Sequence, residues 1–241
     1  MLAHIHASSV RCAYMDTETD KKEPNWLERH ITLHNYDDAQ AEQANYLTHA
    51  VGAVMAFFAL IVILCRNKYL SNQHLKVGMV VYGCSMLLLY TASAFYHKLP
   101  KCDAKRVCRI LDHTNIYVLI AGTYTPILTY VDTPLAMNIL KLVWLMVLIG
   151  MTFTLVFWGK LKALHVVLYL LMGWLIVFFW KDIIPFLPAG LITYILAAGI
   201  VYSLGVIFYA NKKIPHYHAI WHLFCIGGSM LFYLGFEFLM Y

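Results

Sequence analysis

Charge is what this sequence lacks most. Only 13% of its 241 residues are Asp, Glu, Lys or Arg, against 61% hydrophobic. A water-soluble domain of this size needs far more charge to cover its surface, so a soluble globular fold is excluded. Paired cysteines are missing too. Cys12, Cys65, Cys84, Cys102, Cys108 and Cys225 are scattered, with no C-x-x-C pair. That pattern argues against a disulfide framework and against a thiolate metal site. No N-x-Ser/Thr sequon occurs, and the first 45 residues contain no apolar run of the signal-peptide kind. Internal repeats and low-complexity tracts are also absent.

What the chain does have is long apolar runs. Seven segments, near 43–65, 75–98, 108–131, 135–157, 162–180, 188–210 and 217–240, each approach the ~20 residues that cross a bilayer as a helix. The expected fold is an all-α, seven-transmembrane helix bundle over 42–241, preceded by a polar cytosolic segment, 1–41. Trp26 and the stretch Leu27–Leu33 read as a short interfacial helix. Polar or proline-containing turns separate the segments, as at Asp132-Thr-Pro and Asn211-Lys-Lys-Ile-Pro. Pro126 lies inside the third segment and is expected to kink it or end it early. Trp144, Trp158, Trp180 and Trp221 are expected to form an interfacial aromatic belt.

The net charge of +5 is unevenly spread, because eight of the 13 acidic residues precede the first segment. The basic remainder reads as an orientation signal and not as a nucleic-acid surface. With a cytosolic N-terminus, 13 Lys and Arg fall inside and 5 outside. The positive-inside rule therefore predicts N-terminus in, C-terminus out. The protein is expected to be a multi-pass integral protein of the plasma membrane or an endomembrane.

Under this topology a set of polar residues gathers at the inner ends of three helices. Ser93 and His97 close the second segment, Asp112 opens the third, and His218 and His222 open the last. Ionisable groups inside membrane segments are costly and mark functional sites. Ser93 and His97 are four apart and share a helix face, as do His218 and His222. Three imidazoles suit Zn2+ and leave a coordination position for water, and Asp112 can take a proton from that water. Each residue also has a plainer reading. A lone histidine at a helix end snorkels to water, as expected for His216 and His113; Asp112 can pair with Arg106 or Arg109; Ser93 can serve helix packing. Glu42, Asn45, His49 and Gly52 form a further stripe at spacings of three and four. It would either orient a metal ligand or pack helices, with Gly52 permitting close approach.

These residues, as they stand in order, resemble a known family. Glu42-x-x-Asn45-x-x-Thr48-His49-x-x-Gly52, Ser93-Ala-Phe-Tyr-His97, Asp112 with Ile120-Ala-Gly-Thr-Tyr-Thr-Pro126, and His218-Ala-Ile-Trp-His222-Leu-Phe are similar to the progestin and adipoQ receptor family. The Ala-Gly-Thr-Tyr-Thr-Pro string points to its hemolysin III branch. The resemblance spans residues 42–225. It implies a seven-helix bundle with a cytosolic N-terminus and zinc held by His97, His218 and His222. Asp112 and Ser93 would flank the metal-bound water. The family's described activities imply three alternatives for this chain. One is ceramidase-like hydrolysis of a lipid amide or ester, with Asp112 as general base and Ser93 positioning the water. Another is a receptor for a lipid or protein ligand, with structural zinc. The third is a pore-forming haemolysin, which the sequence supports poorly because no helix carries charge along its length. The expected partner is membrane lipid.

Overall fold

The structure is a computed structural model and describes residues 23–33 and 38–241. Much of the polar N-terminal segment, including Arg11, Lys21 and Lys22 of the charge count, lies outside the described residues. The described residues are all helix, turn and loop, with no strand. Nine α-helices follow in order: α1 (Trp26–His30), α2 (Ala39–Arg66), α3 (Gln73–Lys98), α4 (Asp103–Val131), α5 (Pro134–Val156), α6 (Lys162–Gly173), α7 (Trp180–Ile183), α8 (Leu191–Ala210) and α9 (Tyr217–Leu239).

Local chemistry sets the boundaries. Asp38 caps α2 by accepting from the N–H groups of Gln40 and Ala41. Asp132 ends α4 in the left-handed region at φ 49°, and Thr133 then caps α5 with Pro134 at its first turn. Beyond Gly173 the predicted fifth segment breaks up. A 3-10 turn, Leu175–Phe179, links α6 to the single turn α7, and another, Ile184–Phe186, follows. Trp26–His30 is helical, with an Asn25–Glu28 capping box, but the helix stops at His30, short of the expected Leu33.

The long helices close into a ring. In chain order α2, α3, α4, α5, α6, α8 and α9 each touch the next, and α9 returns to α2. Helices α3 and α4 carry the most buried residues. Six helical stretches are long and apolar enough to cross a membrane: Ala39–Tyr69, Gln73–Lys98, Pro134–Val156, Leu164–Phe186, Leu191–Ala210 and Tyr217–Leu239. The protein is therefore an integral membrane protein. The sequence led us to expect seven spans. The remaining segment, 108–131, is fully helical within α4, but it does not meet the same test of apolarity. The physical reason is burial: ringed by its neighbours, α4 has to satisfy protein and not lipid, so it can carry Asn, Thr, Gly and charge.

Pro126 does not end α4, which runs on to Val131. Close packing holds the helix there. A Cβ on Gly78 of α3 would come within 3.0 Å of the Pro126 Cα. A turn earlier, a Cβ on Gly122 would meet the Ser85 Cβ at 2.8 Å. Gly122→Val should therefore force α3 and α4 apart and cost about 1–3 kcal/mol. The expected result is a lower thermal unfolding midpoint in detergent; an unchanged midpoint would contradict this packing account.

Buried hydroxyls bind α9 to its neighbours at mid-depth. Tyr90 and Tyr202 both reach Ser229 Oγ, at 2.6 and 2.7 Å, while Tyr82 donates to the Ser229 carbonyl at 2.6 Å. At the far end Arg66 binds Glu237 at 2.9 Å. One cysteine departs from expectation: Cys102 is disulfide-bonded, whereas Cys65, Cys84, Cys108 and Cys225 are free thiols. Scattered spacing carries no information on such a pairing, which depends on where two sulfurs meet.

Candidate metal centre

The last turn of α3 and the first turns of α9 bring three histidines together. One donor atom each from His97, His218 and His222 lies within 4.8 Å of the others. The four-residue spacing puts His218 one turn from His222, with the rings edge-to-face and their centroids 4.5 Å apart. His97 approaches from α3, its centroid 5.1 Å from that of His218 and 5.2 Å from that of His222. His97 and His222 are buried; His218 is half-buried.

Two of the rings have their tautomer set by what holds them. His97 Nδ1 lies 3.1 Å from Glu42 Oε1. A carboxylate only accepts, so Nδ1 carries the proton and Nε2 keeps its lone pair. His222 Nδ1 lies 3.1 Å from the Asn45 carbonyl and 2.9 Å from Thr48 Oγ1. The Thr48 hydroxyl has carbonyls of its own turn to donate to, at 2.9 and 3.0 Å, so its oxygen accepts from His222. Again Nε2 is left as the ligand atom. Hydrogen-bonded histidines of this kind are the usual arrangement around zinc.

The α2 stripe is thus a support for the histidines as well as a packing face. Besides Glu42, Asn45 and Thr48, it contributes His49, whose ring stacks on His222 with centroids 3.5 Å apart and planes within 12°. Gly52 permits close approach too, since a Cβ there would sit 3.0 Å from Ile226 of α9.

Asp112 and Ser93 face the same centre. Ser93 Oγ is fully buried beside the Asp112 carboxylate but completes no hydrogen bond of sound geometry. Both ring nitrogens of buried His49 likewise have no hydrogen-bond partner among the described residues. Buried polar atoms of this kind are costly unless a bound group satisfies them. Of the basic residues considered for Asp112, Arg106 pairs with Asp103 at 3.3 Å, while Arg109 donates to Thr32 at 3.2 Å and is also near enough to attract the Asp112 carboxylate. The donor set and the fixed tautomers therefore fit a zinc ion, with three nitrogens and space beside a carboxylate.

The centre opens into a cavity of about 260 Å³. Asp112, His218 and His222 lie on its wall, which follows α4 as far as Ile127. That stretch is about 22 Å of helical rise. Tyr124, Trp174 and Phe232 line it away from the histidines. His113 and His165 also line it, a role their sequence positions did not suggest, while His216 is exposed as expected. Lys105 escaped the sequence reading as well, its place in a basic turn being all that was visible, whereas Arg109 entered that reading only as a partner for Asp112. Both are buried beside this centre.

Comparison with known proteins gives a consistent result. A family model described as haemolysin-III related matches residues 38–233. Hemolysin-3 of Bacillus cereus is 37% identical over 193 residues, covering 80% of this chain and 88% of that protein. The hemolysin-3 homolog of Bacillus subtilis (strain 168) is 38% identical over 189 residues, covering 78% and 89%. Monocyte to macrophage differentiation factor of Homo sapiens is 27% identical over 206 residues, covering 79% and 80%.

Proposed function

Because this chain belongs to the haemolysin-III related family, we infer that it is a seven-span membrane protein that binds zinc and hydrolyses a lipid amide or ester. Helix α4 is the seventh span. The N-terminus is cytosolic and the C-terminus is on the other side, in the plasma membrane or an endomembrane. The 13-to-5 distribution of Lys and Arg supports this orientation.

The observation that carries the reading is the meeting of His97, His218 and His222 within 4.8 Å beside a cavity that His218, His222 and Asp112 line. His97, His218 and His222 would hold the ion through ring nitrogens. Zinc bound there supplies Lewis acidity, which polarises a carbonyl and acidifies water. Asp112 accepts the proton as general base and returns it to the leaving amine or alcohol. Ser93 Oγ, next to Asp112, positions the attacking water or the oxyanion. The cavity along α4 takes up an acyl chain from the bilayer, and its aromatic lining keeps bulk water from the chain.

Reconstituted protein should release fatty acid from a labelled lipid amide or ester. The release should stop on chelation and return with zinc. No release from any amide or ester lipid tested would overturn the hydrolase reading. The name hemolysin-3, carried by two bacterial relatives, favours membrane lysis as a second reading. Leakage of a trapped dye from the same vesicles, insensitive to chelation, would select it.

A further inference from the structure

Lys105 has a role that the zinc reading leaves open. A lysine in a basic turn is expected to sit in water, yet this one is only 7% exposed, in the first turn of α4. Lysine is almost never this buried unless paired. Its ammonium donates to Glu42 Oε2 at 3.2 Å and to the Leu99 carbonyl at 3.0 Å, and it lies 5.2 Å from the centre of the Tyr96 ring. Glu42 spends its other oxygen, Oε1, on His97 Nδ1. One carboxylate from α2 thus joins a cation on α4 to an imidazole on α3. The lysine is anchored at Leu99, which caps the helix carrying His97.

We propose that Lys105 is a positioning residue of the metal centre, acting through Glu42 on His97. The inference rests on the zinc reading above. Glu42 lies in the first turn of α2 with its side chain 17% exposed, where a carboxylate can swing toward water. The Lys105 ammonium holds Oε2, and this leaves Oε1 aimed at His97. The imidazole is then kept in one tautomer, with Nε2 directed at His218 and His222. Because Lys105 and Glu42 cancel in charge, the bridge orients the ligand without adding net charge to the centre. Its effect on zinc is one of geometry, so a guanidinium that can reach both oxygens should serve in its place.

The test uses the full chain in detergent and a chromophoric chelator competing for zinc. Glu42→Ala should weaken zinc binding about 10–100-fold. Lys105→Met should weaken it by about tenfold, at the lower end of that range. Lys105→Arg should restore most of the loss. Glu42→Ala/Lys105→Met should be no weaker than Glu42→Ala alone, because on this proposal the lysine acts through Glu42 and not through its contacts with Leu99 and Tyr96. Wild-type affinity in Lys105→Met, or additive losses in the double variant, would overturn the proposal. Histidine ring 15N NMR, with His97 assigned from a His97→Gln spectrum, gives a readout that needs no metal. His97 should be one Nδ1–H tautomer in wild type and a mixture in Lys105→Met. Wild type without zinc affinity would sink the functional reading, yet this comparison still decides the proposal: a single unchanged tautomer in Lys105→Met overturns it.

Discussion

Replacing His218 and His222 together by alanine should yield a protein that keeps its helices and binds no zinc. Wild-type protein purified in detergent should carry about one zinc per chain, three ring nitrogens being the usual protein share of such a site. The double substitution removes two of the three nitrogens, both from one face of α9, and leaves His97 alone with Glu42. Metal analysis after gel filtration reads the result directly. The apparent binding energy of a structural zinc site is about 10–16 kcal/mol, so the loss should be complete and not graded. Thermal unfolding separates the two roles of the metal. If zinc serves hydrolysis, the double variant should melt within a few degrees of wild type, because tyrosines on Ser229 and close-packed glycines hold the ring independently. A collapse in stability would favour the receptor reading, with zinc as a structural part. Wild type that purifies without zinc, from cells supplied with it, would end the metal reading altogether.

Asp112→Asn should lower lipid hydrolysis by about 10²–10⁴-fold while zinc content stays at the wild-type level. The amide matches the carboxylate in size, so packing beside Ser93 is kept and only the ability to take a proton is lost. Measuring metal and rate on the same preparation isolates the step. A rate within a few-fold of wild type would remove Asp112 from the chemistry and leave it a polar neighbour of the histidines. A parallel loss of zinc would make it part of the metal's support instead. The two substitutions therefore fail in different ways: the histidine pair through the metal, the aspartate through proton transfer.

The sequence made much of this legible, for reasons that can be located. Helical periodicity fixes which residues share a face, so His218 with His222, Ser93 with His97, and the Glu42-to-Gly52 stripe could all be read from spacing alone. Apolar length identified the spans at Ala39–Tyr69, Gln73–Lys98, Pro134–Val156, Leu164–Phe186, Leu191–Ala210 and Tyr217–Leu239. It served less well at α4, where burial in protein replaces burial in lipid and permits polar residues. It also missed the break at Gly173, since nothing in the apolar run 162–180 distinguishes an α-helix from 3-10 turns.

By itself, then, the chain's order of residues determined that this is an integral membrane bundle and which imidazoles sit one turn apart, because both follow from the fixed rise and period of one helix. Tertiary structure alone decided that Glu42 reaches His97 and Lys105, that His49 stacks on His222, and that a cavity runs along α4 from Asp112. Those contacts join helices far apart in the chain. They depend on rotation and crossing of one helix against another, which side-chain volumes across the whole ring set together.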